Sequence, residues 1–409
     1  MREIPPSPLH SPALGSGLED LVRPCGDSLR PRDPGRVDGR PTFALTFSGG
    51  GFRATLAALG LARFLADVGR LGDLRFISSV SGGSITNGVL ACQWDQLRNA
   101  DFSAEALDAR VIDPIIHSIT ASSLKKELIR NLWRAVGGQS RTDLLARAFD
   151  HRFFHKRTLE SLDEGCRFVI NAANLTTGVR FAFERDVLGD YVVGLATTRG
   201  TGVNVATAVA ASAAVPGAFA PVRVRGIAFP CRGRGEPMLL DGGAYDNTGL
   251  EAFDSDRYQD VFLIAMNAGG VFVTGRWGKI PIVRDLARSS SLLYRQSTGL
   301  RTRWMIDRFQ VLETAVRDQL PTPKWGRRGV LTELASNVTG PGVDEWQARH
   351  PEHRTWQGKD LAFVPTVFDQ LDPRLCRLLV YRGWWLTGAT LARYHPGLVD
   401  LPTTAPPLE

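Results

Sequence analysis

One short segment places a serine where a nucleophile could be activated. Residues 79–83 read SVSGG and put Ser81 between small neighbours, at the junction of a predicted strand and a predicted helix. A tight turn of this kind exposes the serine hydroxyl, and the amides that begin the helix face the point where negative charge develops in acyl transfer. The pattern is G-x-S-x-G except at its first position, where Ser79 replaces glycine. We therefore predict a nucleophilic Ser81, with an ordinary strand–helix turn as the alternative.

Three consecutive glycines form a second candidate site. Gly49, Gly50 and Gly51 follow an apolar run and precede a helical pattern. Backbone amides that no side chain screens suit an anion, either a phosphate or a tetrahedral oxyanion. A competing interpretation is a dinucleotide fingerprint, because Gly49, Gly51 and Ala54 match G-x-G-x-x-A. That fold requires an acidic residue at the end of the next strand, and here that strand ends at Ser81, so the oxyanion interpretation is favoured.

An aspartate provides a third candidate. Asp241 is followed by two glycines at the end of a predicted strand within residues 238–243. Alone, this pattern is typical of an ordinary turn. The carboxyl ends of parallel strands, however, meet in one crevice of an open α/β sheet. Ser81, the glycines at 49–51 and Asp241 are therefore expected to lie together.

The elements that must position these residues alternate between strand and helix. Residues 42–48 and 74–80 are short apolar runs typical of buried strands, and each leads through glycines into a helical pattern. Two consecutive strand–turn–helix units predict a parallel sheet with crossover helices, which is an α/β fold. Later strands are predicted at 166–174 and 260–267, and a long basic helix is predicted at about 281–318.

Composition narrows the class of protein. Of the 409 residues, 43% are hydrophobic and 22% are charged, which is enough for a sizeable core. No apolar run is long enough to span a bilayer, and the first residues do not form a signal peptide. The odd number of cysteines and the lack of a C-x-x-C motif argue against a disulfide framework and a zinc site, so a reducing cytoplasm is the expected location. The cysteines are Cys25, Cys92, Cys166, Cys231 and Cys376.

The net charge of +7 leaves several classes of partner to consider. No nucleic-acid-binding motif is visible, so nucleic acid is not an expected partner. The basic stretch 276–328 either docks on an anionic membrane or is a solvated helix face, and the second interpretation is slightly favoured.

His151 and His155 have the i, i+4 spacing that metal sites use, but no acidic residue lies between them, and a metal role is disfavoured.

Taken in order, the motifs resemble those of the patatin-like phospholipase family. G-G-G-x-R at 49–53 is followed about 30 residues later by (G/S)-x-S-x-G, and about 160 residues further on by D-G-G. Residues 211–222, ASAAVPGAFAPV, are also similar to the family's small-residue helix with its proline. The resemblance covers roughly residues 41–270 and extends more weakly to about 395.

The resemblance implies a three-layer α/β/α fold with a mostly parallel central sheet. It implies one acyl hydrolase domain at residues 41–395. Composition adds a flexible N-terminal arm rich in Pro, Gly and Arg at 1–40, and a flexible tail at 396–409.

The resemblance also implies that a serine–aspartate dyad cleaves ester bonds of phospholipids or related acyl lipids. Ser81 attacks the carbonyl carbon and is acylated, and Asp241 accepts the serine proton with no histidine between them. The scheme requires no cofactor and no metal, and its lipid substrate permits peripheral contact with a membrane. The remaining assignments are an oxyanion hole at Gly49, Gly50 and Gly51, and support of the turn or of the substrate by Arg53 and Gly83.

Two alternatives stay open. A triad in the chain order Ser81, Asp241, His395 would make the protein an α/β-hydrolase esterase. A lipid-binding protein with a catalytically silent site is the second alternative.

Overall fold

A computed structural model describes residues 25–31, 42–131, 139–231, 233, 235–254, 258, 260–270, 281–352 and 358–408 of the chain. Within them, ten strands form one sheet. The strands are β1 (Phe43–Phe47), β2 (Leu74–Val80), β3 (Arg167–Asn174), β4 (Val179–Phe183), β5 (Val187–Asp190), β6 (Gly194–Thr197), β7 (Val222–Arg223), β8 (Met238–Asp241), β9 (Phe262–Asn267) and β10 (Gly329–Glu333).

The helices lie between these strands and after them. Short 3-10 or π-helical turns extend several of them. The α-helices of the described residues are α1 (Gly51–Asp67), α2 (Gly82–Arg98), α3 (Ala104–Leu107), α4 (Asp113–Ala121), α5 (Leu124–Arg130), α6 (Arg141–Phe149), α7 (Val205–Ser212), α8 (Gly243–Asp246), α9 (Pro281–Arg317), α10 (Val343–Arg349), α11 (Gly358–Ala362) and α12 (Pro373–Tyr394).

The sheet is parallel at its centre and antiparallel on one side. The strands β10, β9, β1, β2 and β3 pair in this order and run parallel, which confirms the predicted parallel sheet with crossover helices. Beyond β3 the sheet continues antiparallel through β4, β5 and β6, because the connections between these strands are too short to hold a crossover helix. Strand β8 also pairs antiparallel with β3.

Helices cover both faces of the sheet. Successive side chains of a strand point to opposite faces. On β1, Phe43, Leu45 and Phe47 enter a larger core with α1, α2 and α12, whereas Ala44 enters a smaller core that also contains Met305 of α9. The predicted three-layer α/β/α arrangement is therefore confirmed.

The long helix α9 is a single element of 37 residues, as the sequence predicted. Its later part packs into the smaller core, while Leu292 and Leu293 in its earlier part are 58% and 70% exposed. None of the helices that the structure describes is long and apolar enough to cross a membrane.

The expectation that the cysteines form no disulfide is wrong. Cys25 is bonded to Cys231, while Cys92, Cys166 and Cys376 are free and buried. The two bonded residues are 206 positions apart, so no local spacing could reveal the pair. Because disulfides persist in oxidising compartments, the cytoplasmic location that rested on their absence loses that support.

The disulfide attaches the described part of the N-terminal arm, residues 25–31, to the antiparallel side of the sheet. The amide of Cys25 donates to the carbonyl of Tyr191 (2.8 Å), and the amide of Leu195 donates to Ser28 Oγ (2.9 Å). At the other end of the chain, Leu398 and Leu401 pack against the larger core. The proposed boundaries at 40 and 396 stay predictions.

Candidate active site

Ser81 lies on the turn between β2 and α2 in an unusual backbone conformation. Its φ of 50° and ψ of −121° are rare for a residue with a side chain, and helix α2 begins at the next residue, Gly82. Such a conformation costs about 1–3 kcal/mol and persists only where surrounding contacts fix it. One of these contacts is the hydrogen bond from the Ser81 amide to Ser212 Oγ, at 2.8 Å. This is the geometry that the nucleophile turn requires.

Asp241 is hydrogen-bonded directly to the serine. The hydroxyl of Ser81 donates to Asp241 Oδ2 at 2.8 Å, and the amide of Gly243 donates to Oδ1 at 2.7 Å. Both side chains are buried. Burial raises the pKa of Asp241 to about 6, although the hydrogen bonds from Gly243 and Ser81 act to lower it. The carboxylate is therefore a stronger base than an ordinary aspartate and is still ionised at neutral pH.

The two residues meet for a different reason from the one expected. Val80 of β2 pairs with Asn171 of β3, and Asp241 of β8 pairs with the next residue of β3, Ala172. Strand β8 runs antiparallel to β3, so β2 and β8 approach each other end to end along the same edge of β3. Ser81 and Asp241 thus lie at the gap between two opposed strand ends, not at neighbouring carboxyl ends of parallel strands.

A network of hydroxyl groups supports the turn at residues 79–83, the serine turn. Ser212 Oγ lies 3.0 Å from Ser84 Oγ, which lies 3.0 Å from Ser79 Oγ. The side-chain amide of Asn87 donates to Ser79 Oγ at 2.8 Å. The serine that replaces the usual glycine is thus fully accommodated. Sequence reasoning missed Ser212, although it had singled out the small-residue segment 211–222 that contains it.

The turn at residues 49–51, the glycine turn, lies beside the serine turn. Gly50 and Gly51 have φ values of 151° and 59°, which favour glycine, and α1 begins at Gly51. The amide of Gly49 donates to the backbone carbonyl of Asn247 at 2.9 Å and is therefore already used within the protein. The candidates for binding an anion in this turn are the amides of Gly50 and Gly51.

Two glycines of the serine turn allow close packing. A methyl group on Gly82 would lie 2.7 and 2.8 Å from the backbone C and N of Gly51, and would overlap its carbonyl oxygen. A methyl group on Gly83 would lie 2.7 Å from Phe47 Cβ, at the end of β1. Gly83 therefore supports the site by letting α2 approach β1.

Arg53 is an internal brace. It is 2% exposed, and its Nε donates to the carbonyl of Ala268 at 3.1 Å. Its guanidinium also donates to the carbonyls of Ala362 and Val364 and to Thr366 Oγ1. Burial lowers its pKa, which the nearby phenol of Tyr294 partly offsets. These contacts favour the bracing role over contact with a lipid phosphate.

His395 lies at the amino-terminal ends of the parallel strands, whereas Ser81 lies at their carboxyl ends. Its ring packs edge-on against Phe262, with ring centroids 4.8 Å apart, and its Nε2 is 3.3 Å from the carbonyl of Gly329. Phe262 and Gly329 begin β9 and β10. Ser81 follows the end of β2, so the length of a strand, about five residues or roughly 16 Å, separates His395 from Ser81. The alternative triad with His395 is therefore wrong.

Comparison with known proteins points to one family. A family model described as "Patatin-like phospholipase" matches residues 45–254. No curated protein sequence matches the chain.

Two solved structures are similar to the chain. VipD from Legionella pneumophila is 15% identical, with 82% of this chain and 70% of that one covered and a TM-score of 0.34. Human GIVD cytosolic phospholipase A2 is 13% identical, with 63% of this chain covered and a TM-score of 0.37. The match spans 48%, about half, of the human chain.

Proposed function

Because the chain belongs to the patatin-like phospholipase family, we propose that it hydrolyses acyl ester bonds of phospholipids or related lipids through Ser81 and Asp241. The observation that carries the proposal is the 2.8 Å hydrogen bond from Ser81 Oγ to a buried carboxylate, at a serine with a φ of 50°. Family membership supports a lipid substrate, and this geometry supports a covalent mechanism.

The first half of the reaction forms an acyl-enzyme. Asp241 removes the proton of the Ser81 hydroxyl as Oγ attacks the ester carbonyl carbon. The resulting oxyanion accepts hydrogen bonds from the amides of Gly50 and Gly51. When the intermediate collapses, the bond to the alcohol oxygen breaks, and that oxygen takes the proton from Asp241. The acyl group stays on Ser81.

The second half returns the enzyme to its starting state. Asp241 removes a proton from a water molecule, whose oxygen attacks the acyl carbon. The tetrahedral intermediate expels Ser81 Oγ, which takes the proton back from Asp241, and the free fatty acid leaves. The raised pKa of Asp241 suits both directions, because a group that titrates near the working pH accepts and returns a proton most readily.

Contact with a membrane surface is the second part of the proposal. In the basic stretch 276–328, Arg308 and Arg327 are at most 2% exposed and donate to backbone carbonyls, so part of this charge is internal. The exposed leucines Leu292 and Leu293 are better suited to enter the headgroup region. We therefore attribute the contact to these exposed leucines of α9.

The test compares wild type with Ser81→Ala, Asp241→Asn and the matched control His395→Ala. Substrates are mixed phospholipid vesicles and a short-chain chromogenic ester. We expect the first two variants to lose about 10³-fold or more of kcat, while His395→Ala retains activity. Retained turnover in folded Ser81→Ala would exclude the dyad. A wild type that binds the vesicles and cleaves nothing would instead indicate a lipid-binding protein.

A further inference from the structure

Helix α9 brings a tyrosine to the edge of the glycine turn. The hydroxyl oxygen of Tyr294 lies 3.0 Å from the position that a Cβ would take on Gly269. Asn247 Nδ2 lies 3.0 Å and Asn267 Oδ1 lies 3.1 Å from the same position. Three polar groups from different elements therefore converge on Gly269, which follows the end of β9.

Asn247 connects this cluster to the nucleophile. A Cβ on Gly49 would overlap Asn247 Oδ1 and would lie 3.1 Å from Ser81 Cβ. One side chain, that of Asn247, thus reaches from the space beside Ser81 to the space beside Tyr294. The segment that contains Gly269 also touches the glycine turn, since a Cβ on Gly50 would lie 2.5 Å from the carbonyl oxygen of Ala268.

Tyr294 is also within electrostatic range of the catalytic base. Burial raises its pKa, and the charge of Asp241 raises it further, while Arg53 acts in the opposite direction. The phenol is therefore protonated at neutral pH and can serve as a hydrogen-bond donor. It cannot accept the serine proton, so it does not compete with Asp241 as a base.

A partly buried ion-pair network fixes the position of α9 on the site. Arg301 follows Tyr294 by seven residues, or two turns, and lies on the same side of the helix. Its guanidinium pairs with Asp254 at 2.8 Å and with Glu251 at 3.1 Å, and it lies 3.6 Å from Asp246. These acidic residues follow Asp241 closely in the chain. The network therefore ties the register of α9 to the segment that carries the base.

We propose that Tyr294 is a further catalytic residue, whose hydroxyl donates a hydrogen bond to the oxyanion of the tetrahedral intermediate. The inference rests on the proposed acyl transfer to Ser81. Because the amide of Gly49 is used by Asn247, the glycine turn offers two amides, and Tyr294 supplies a third donor from a different element. Tyr294 keeps its proton throughout, so the proton transfers between Ser81, Asp241 and the substrate are unchanged.

The test is Tyr294→Phe, which removes only the hydroxyl. Its matched control is Tyr191→Phe, at a tyrosine that is 51% exposed on the β5–β6 turn. We expect Tyr294→Phe to lower kcat about 100-fold, with KM within about twofold and an unchanged melting temperature. The loss is expected to be equal for a nitrophenyl ester and an alkyl ester of the same acid, because both pass through the same oxyanion. Tyr191→Phe is expected to match wild type.

Three results would overturn this assignment. They are an unchanged kcat, a change in KM alone, and a loss confined to the alkyl ester, which would place the hydroxyl on the leaving group instead. Ser81→Ala is measured in parallel. If it is inactive and Tyr294→Phe is fully active, the inference about Tyr294 fails and the proposed function stands. If Ser81→Ala stays active, or wild type cleaves no ester, both fail.

Discussion

The glycine turn after β1 and the serine turn after β2 lie side by side and carry their unusual backbone conformations on different kinds of residue. In the first turn, Gly50 and Gly51 have positive φ values, which cost a glycine little. Neither residue has a side chain that could screen its amide. In the second, Ser81 itself has a φ of 50°, at a cost that its contacts with Ser212 and Asp241 must offset. One turn therefore presents backbone and the other presents a side chain.

The comparison shows two similar strand–turn–helix units that are suited to different parts of the proposed reaction. The turn without side chains is suited to bind the charge that develops, and the turn with a constrained side chain is suited to attack. They are interlocked, because Gly82 of the second turn packs directly on the backbone of Gly51 in the first. This division of roles can be tested with substitutions that affect one turn, both turns, or the contact between them.

Gly82→Ala should have the largest effect, since it disturbs the contact between the two turns. The added methyl group overlaps the carbonyl of Gly51, so the glycine turn must move. We expect a loss of at least about 100-fold in kcat/KM, as for a lost oxyanion donor, together with a destabilisation of about 1–3 kcal/mol. Esterase kinetics and urea unfolding measure the two effects. The control is Gly233→Ala, because a methyl group there has no neighbour within 4 Å. Full activity in Gly82→Ala would show that the turns are not in contact in solution.

The second prediction concerns the pH dependence of kcat/KM. Asp241 is hydrogen-bonded to Ser81 of the serine turn, so its protonation is expected to impair attack by the serine without changing the glycine turn. With its pKa at about 6, kcat/KM should be level above this pH and fall about tenfold per pH unit below it. A profile that is flat between pH 5 and 8 would contradict the role of Asp241 as the base.

The same pKa predicts a stability effect of opposite direction. Because the folded-state pKa of Asp241 is raised, its favourable contribution to folding is present below the unfolded pKa and is lost as pH rises through about 6. Asp241→Asn should therefore be more stable than wild type at pH 8, by up to about 3 kcal/mol, with the difference shrinking towards pH 4. Urea unfolding at both pH values measures this difference.

Ser79→Gly should have the smallest effect, since it alters only the support of the serine turn. It restores G-x-S-x-G and removes a hydroxyl that contacts Ser84 and Asn87. We expect activity within about threefold of wild type and a free energy of unfolding lower by about 1 kcal/mol. A large fall in kcat with normal stability would instead mean that Ser79 sets the orientation of Ser81.

The parts of the site that follow from local pattern could be predicted. A short apolar run, small residues and a helical period fix a strand, a tight turn and a helix within about ten residues. This is why Ser81 and the turns at 49–51 and 79–83 could be located from the sequence. The end of β8 could also be recognised, but its antiparallel approach to Ser81 could not, because pairing direction depends on distant segments.

The missing parts are contacts between residues far apart in the chain. Ser212 meets the amide of Ser81 from 131 positions away, and Thr366 meets Arg53 from 313 positions away. Tyr294 and Asn247 likewise reach the site only through the docking of α9 and α8. Such contacts follow from how finished elements pack, and no spacing in the sequence encodes them.

The bond between Cys25 and Cys231 turns most of the first half of the chain into a covalent ring. Ser81 lies inside the ring and Asp241 lies shortly beyond it. Because the bonded cysteines are 206 positions apart, loss of loop-closure entropy raises the free energy of the unfolded chain by about 5 kcal/mol. A protease that cut once inside the ring would leave Ser81 and Asp241 in one covalently connected molecule, and reduction of the disulfide would be needed to separate its two fragments. The nicked protein would then refold at a rate independent of its concentration. The reduced fragments would first have to associate, at a rate that depends on their concentration.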